Sequence, residues 1–125
     1  MHRSRIQAIM IDVPEAEFAA AVEFWASTLG RQPSKTPSEA DPYLDLLADD
    51  KDPAVAFQRI SGEARIHLDI ETDDVEAEVS RLVSLGARVS ERVENWVVLQ
   101  DPAGLLFCVV PKGSSDFSDG TAAGK

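Results

Sequence analysis

His67, Asp69 and Glu71 stand two residues apart in the segment Arg65–Glu71 (RIHLDIE). Strict alternation of this kind is the period of a β-strand, so these three share one face with Arg65, and Ile66, Leu68 and Ile70 share the other. A histidine beside two carboxylates can donate and accept hydrogen bonds, move a proton, or ligate a metal. The plainer reading is a solvated polar face on a half-exposed strand, with His67 partly buried against a polar group of a neighbouring strand. Cys108, the only cysteine, lies in Leu105–Val110 (LLFCVV). A free cysteine in such a run usually packs as a small hydrophobe. To act as a nucleophile it would need a positive neighbour that lowers its pKa.

Other residues have weaker claims. Gln58 can offer an amide oxygen. Trp96, Phe57 and Tyr43 are aromatic residues on predicted strands and suit the wall of a small-molecule site. Arg59 and Arg65 flank Ser61-Gly62 and could meet an anion, although surface charge explains them as well. Phe18 and Trp25 belong to a helical stripe and read as core.

The elements that must hold these residues follow from the pattern. Ile6–Val13 reads as a strand. Pro14 suits a first helical turn, and Glu15 and Glu17 place negative charge at the helix start. Phe18, Val22, Trp25 and Leu29 recur at helical spacing, and Gly30 occupies a left-handed C-cap position, giving a helix over 14–29. Residues 31–41 read as a short edge strand or loop. Strands follow at Tyr43–Ala48 and Ala54–Ile60, separated by the polar turn 49–53. The pattern then restarts: a strand at 65–71, a helix opened by a capping box of Asp73 and Glu76 and ended at Gly86, and strands at 87–93, 96–100 and 105–110. "TLG" at 28–30 answers "SLG" at 84–86, so the chain is a degenerate repeat of pattern rather than of identity. Residues 112–125, rich in Gly and Ser, read as a flexible tail.

Size and charge bound the rest. A chain of 125 residues suits one domain and can bury roughly two thirds of its unfolded surface without a disulfide or metal. The apolar fraction of 44% and charged fraction of 27% are those of an ordinary globular protein. The net charge of −10 repels phosphate backbones and anionic lipids, so neither nucleic acid nor a membrane is an expected partner. No apolar run is long enough for a membrane span or a signal-peptide core, and one cysteine cannot form an internal disulfide. The expectation is therefore a cytoplasmic protein.

Three segments resemble one family. "EFW" and "TLG" within 23–30, "HLDIETDDVEAEVSRLVSLGARV" at 67–89 and "VVLQDPAGLLFCVV" at 97–110 are similar, in order and spacing, to motifs of the vicinal-oxygen-chelate (glyoxalase/bleomycin-resistance/dioxygenase) superfamily. Within it the chain resembles the small glyoxalase-like domain proteins. The resemblance covers residues 5–110. It implies an α+β fold in which two βαβββ modules, about 5–61 and 64–111, form a cup-shaped mixed sheet within a domain at 1–111. In the superfamily's metalloenzymes the divalent ion is held by a His in the first strand, a Glu or Gln in the fourth, a His in the fifth and a Glu in the eighth. Those positions fall here on Gln7 or Ala8, Gln58, His67 and Cys108. Only His67 is a strong match, Gln58 is a weak ligand, and a thiol is a soft one.

The resemblance thus implies a cup that faces His67 and Cys108 and keeps a depleted ligand set. The leading expectation is a protein that binds a small organic molecule without the family's metal, through His67, Gln58, Asp69, Cys108 and Trp96. The main alternative is a divergent metal-dependent lyase, isomerase or dioxygenase, with His67, Glu71 and Cys108 as the candidate catalytic groups. A third is a homodimeric interaction module without catalysis.

Overall fold

The computed structural model describes residues 2–48, 51–112 and the backbone of 122–123. The chain divides into two units, Ala8–Ile66 and a second made of His67 onward together with the first seven residues. Strand β1 (Arg3–Pro14) is therefore shared, its start belonging to the second unit and its remainder to the first.

In the first unit β1 is followed by a single 3₁₀ turn, Glu15–Glu17, and by helix α1 (Phe18–Leu29). Pro14 permits the turn because it has no N–H to leave unpaired. Gly30 ends the helix at φ 65, a left-handed conformation that costs glycine nothing. Strands β2 (Tyr43–Leu46) and β3 (Val55–Ile60) follow. β3 runs parallel to β1 and antiparallel to β2. Between α1 and β2, where a short edge strand or a loop was expected, the chain is a loop with isolated bridges Pro33 to Leu46 and Ser38 to Asp41. Proline has no N–H for a ladder, and Pro37 follows closely, so pairing goes no further. The core lies between α1 and one face of this sheet: Val13, Phe18, Val22, Leu44, Leu46 and Phe57 are buried there. Phe18 meets Phe57 edge-on at 6.4 Å, and the Arg59 guanidinium sits 4.3 Å above the Phe18 ring.

The second unit repeats the plan in full. β4 (Arg65–Thr72) leads to helix α2 (Val75–Ser84), then β5 (Arg88–Val93), β6 (Trp96–Gln100) and β7 (Leu106–Pro111). β7 is parallel to β4 and antiparallel to β6, which pairs antiparallel with β5. The backbone of β8 (Ala122–Ala123) pairs with Arg3 and Ser4. The other residues expected to form the tail, 113–121 and 124–125, lie outside the described residues, as do 49 and 50 of the expected 49–53 turn. Val79 of α2 packs on Val97, Leu99 and Val109, with Ile70, Val75, Leu82 and Phe107 around them.

The start of α2 differs from expectation. Asp74, not Asp73, is the N-cap, its carboxylate accepting the Ala77 N–H at 3.0 Å. Asp73 instead accepts the backbone N–H of Arg3 at 2.8 Å, a bond between residues 70 apart that no local pattern announces. Among the described residues no helix is long and apolar enough to cross a membrane.

Candidate functional site

Register places the candidate residues without ambiguity inside the second unit. Asp69 is paired with Cys108 on β7, and Cys108 with Val98 on β6. Glu71 is paired with Val110, one step further along β4. Since Ile70, Val97, Leu99, Phe107 and Val109 face α2, alternation puts His67, Asp69, Glu71, Cys108, Val98 and Trp96 on the opposite face. That face is not simply solvated. His67 and Glu71 are buried, whereas Ile66 on the other side of β4 is 57% exposed. Ile70 on that other side packs against the α2 core and Thr72 is buried, so beyond its first two residues β4 is covered on both faces, its polar one included.

Three donors converge on this face. One ligating atom each from His67, Asp69 and Cys108 lies within 4.8 Å of the other two. His67 Nε2 is 3.1 Å from Asp69 Oδ1. That oxygen is nevertheless buried with no hydrogen-bond partner among the described residues. The pair is close but not aligned as a hydrogen bond, and direction matters as much as distance. A buried carboxylate oxygen left in this way costs free energy unless something else occupies its lone pair.

Glu71 differs from its neighbours. Its carboxylate is held at 2.5 Å by Arg5 Nε in an ion pair. Trp96 opens β6, half-buried, across from Val93 on β5.

The remaining candidates lie in the first unit. Gln58 is paired with Asp12 on β1 and Tyr43 on β2. Gln7 is exposed and Ala8 buried, and neither can ligate a metal through its side chain as a histidine would. Phe57 was an expected wall residue but is fully buried in the α1 core beside Phe18, because its neighbours Leu44 and Ile11 turn toward the helix. Arg59 pairs with Glu15 and Arg65 with Asp12 Oδ2, the latter at 3.0 Å. Both arginines are thus engaged rather than held ready for an anion. A separate open groove of about 410 Å³ runs along Ile60, Ser61, Gly62, Glu63 and Arg65.

Two buried acids escaped the sequence reading. Asp12 has no exposed surface and lies opposite Gln58, just as Asp69 lies opposite Cys108, so each half places an aspartate at the same point of its parallel strand pair. Glu78, also without exposed surface, bonds His2 Nε2 at 2.7 Å and Arg81 through two nitrogens at 2.9 and 2.8 Å. Burial pushes its carboxyl up, but bonds from Arg81, His2 and Ser4 prevail and hold it below the usual carboxylate value. The spacing of Glu78 and Arg81 on α2 was a visible signal; His2 was not.

The family model of the glyoxalase-like domain matches residues 8–110. None of the curated proteins matches the chain in sequence. Among solved structures, the Mn(II)-bound glyoxalase from Novosphingobium aromaticivorans superposes with a TM-score of 0.58 at 20% identity over 94% of this chain. This chain spans only 44% of that one's length. A hypothetical protein from Bacillus halodurans superposes with a TM-score of 0.61 at 11% identity, covering 90% of this chain and 97% of its own. An uncharacterised protein from Methanosarcina mazei gives 0.52 at 12% identity, covering 92% and 99%. At such identities the likeness is one of fold.

Proposed function

This chain belongs to the glyoxalase-like domain family of the vicinal-oxygen-chelate superfamily and has its α+β fold, and from that premise we propose that it binds a small organic molecule against the His67 face of β4 and β7. The observation that carries this reading is the burial of the polar face of β4. Polar side chains there are withdrawn from water, and one of their oxygens, Asp69 Oδ1, has no hydrogen-bond partner among the described residues. A molecule with a hydroxyl would satisfy that oxygen, and the His67 ring can give or take a second hydrogen bond. Val98 and Val110 offer apolar surface beside these polar groups, and Trp96 a flat aromatic one. Glu71 is held on this face by its ion pair with Arg5.

The family also implies a divalent ion, and the donors at this face can be tested against it. At the family's positions Ala8 supplies no side-chain ligand, and Gln7 and Gln58 only a weak amide oxygen. His67, Asp69 and Cys108 form a convergent set that fits an ion tolerant of sulfur. Such an ion supplies Lewis acidity to an oxygen of the bound molecule. The chain's own contribution is to orient that oxygen and to keep the face dry.

Calorimetric titration with catechol and related hydroxylated aromatics, in the presence of chelator, tests the binding reading. Saturable binding that weakens at least tenfold in His67→Ala supports it. No heat from any compound, or equal affinity in the variant, defeats it.

A further inference from the structure

We propose that His67, Asp69 and Cys108 form a three-ligand site for a zinc-class divalent ion, with a preference for zinc and cobalt over manganese and magnesium. This rests on the reading of the His67 face as the binding face, and it departs from the ligand set that the family resemblance implies. There the fifth-strand His is joined by a first-strand His and by carboxylate or amide ligands, all from other strands. Here Asp69 enters from the same strand as His67, two residues on, and the eighth-strand position carries a thiol.

Register produces the convergence. Two residues of spacing put His67 and Asp69 on one face of β4, and the parallel pairing of Asp69 with Cys108 brings the sulfur beside them. Donors around a tetrahedral zinc lie about 3.3–3.7 Å apart, given bonds of about 2.0 Å to N or O and 2.3 Å to S. His67 Nε2 and Asp69 Oδ1, at 3.1 Å, stand slightly inside that spacing. All three donors fall within 4.8 Å of one another.

The misaligned His67–Asp69 contact argues for an ion over the other chemistry these residues suggest. A nucleophilic Cys–His pair oriented by an acid needs the acid to accept a ring N–H along its axis, with the thiol on the other ring nitrogen. Asp69 Oδ1 approaches Nε2 and yet accepts no hydrogen bond. Two lone-pair donors that are near each other without bonding each other are arranged as ligands of a common centre. Three protein ligands leave a fourth position open, as in catalytic rather than structural zinc sites. A thiolate, an imidazole and a carboxylate suit zinc or cobalt, whereas magnesium and manganese favour all-oxygen or oxygen-rich shells. On binding, the Cys108 thiol releases its proton to solvent as the S–metal bond forms, Asp69 binds as carboxylate and His67 as neutral imidazole.

Cobalt(II) reads the proposal directly, because Cys108 is the only thiol in the chain. Tag-free, chelator-treated protein titrated with Co(II) should develop a thiolate-to-cobalt charge-transfer band in the near ultraviolet. The band should saturate at one equivalent and be abolished by stoichiometric Zn(II), with excess Mn(II) having no effect. Cys108→Ser should lose the band. Asp69→Asn should weaken Co(II) binding at least tenfold while leaving the near-ultraviolet circular dichroism of the fold intact. Absence of a saturable band in the wild-type protein overturns the proposal, as does a band that Mn(II) displaces as readily as Zn(II). Organic-molecule binding in chelator without cobalt binding rejects the ion and leaves the proposed function standing. The reverse result rejects that function and leaves the ion site.

Discussion

At Glu78 a carboxylate with no exposed surface stays ionised because Arg81, His2 and Ser4 bond to it. Since its folded pKa lies below the ordinary 4.5, the ionised form contributes stability that is complete above that value. The contribution is lost as the pH falls through the lowered one. Glu78→Gln keeps the shape but removes the charge that Arg81 and His2 address. The expected cost is about 2–3 kcal/mol near neutral pH, the range for hydrogen bonds to a buried charged group, with Arg81's partial exposure keeping it from going higher. Urea unfolding across a pH series checks both size and sign: the gap between wild type and variant should be full above the ordinary carboxyl value of 4.5 and shrink as the pH falls below it. A gap that widens toward acid would contradict the assignment. The residue scale is also where the sequence was least legible. Alternation alone showed that His67, Asp69 and Glu71 share a face. It could not show that this face is buried, because burial depends on what β7 and β6 bring across. Nor could it show Arg5 on Glu71 or His2 on Glu78, partners 66 and 76 residues distant.

Elements were more legible, because each is fixed by short-range chemistry. Both helices, the strands around them and the halting glycines Gly30 and Gly86 stand where apolar period and turn residues place them. The departures have local causes. Proline at 33 and 37 leaves 31–41 as the loop of its two alternatives, with isolated bridges only, and α2 is capped by Asp74 where the capping-box pattern pointed to its neighbour Asp73. That cap gives a clean test. Asp74→Ala removes the acceptor for the Ala77 N–H and should cost about 1 kcal/mol. Asp73→Ala breaks only the bond from Arg3 at the rim and should cost less. Equilibrium unfolding in urea, with the slope unchanged, separates the two, and a larger loss in Asp73→Ala would return the cap to the position that the capping-box pattern suggests. The pairing of β4 with β7, which creates the candidate site, had a weaker signature. Parallel neighbours come from distant segments, and the sequence carries only the resemblance of 67–89 and 97–110 to motifs that pair in this way.

Over the whole molecule the dominant fact is charge. Acids outnumber bases by 22 to 12, leaving a net −10 on 125 residues. The ion pairs that the fold makes do not consume this excess, and several of them, such as Arg92–Glu76, lie on the surface where each contributes little. Two effects of salt therefore oppose one another. Screening weakens the exposed pairs by a few tenths of a kcal/mol each, and it relieves the mutual repulsion of ten uncompensated charges confined in the folded chain. The buried pairs of Glu78 and Glu71 are shielded from water and respond least. Repulsion should win, because its long-range part is felt across about 30 Å at 0.01 M ionic strength and only about 8 Å at 0.15 M. Raising sodium chloride from about 0.01 M to 0.15 M, with chelator present so that no bound ion contributes, should raise Tm by roughly 4 °C, equivalent to about 1 kcal/mol for a chain of this size. The same step in choline chloride should give the same rise, since screening depends on ionic strength and not on the cation. A fall in Tm would mean that the surface ion pairs, not the net charge, govern stability. A rise with sodium alone would point to a bound cation instead of a screened surface.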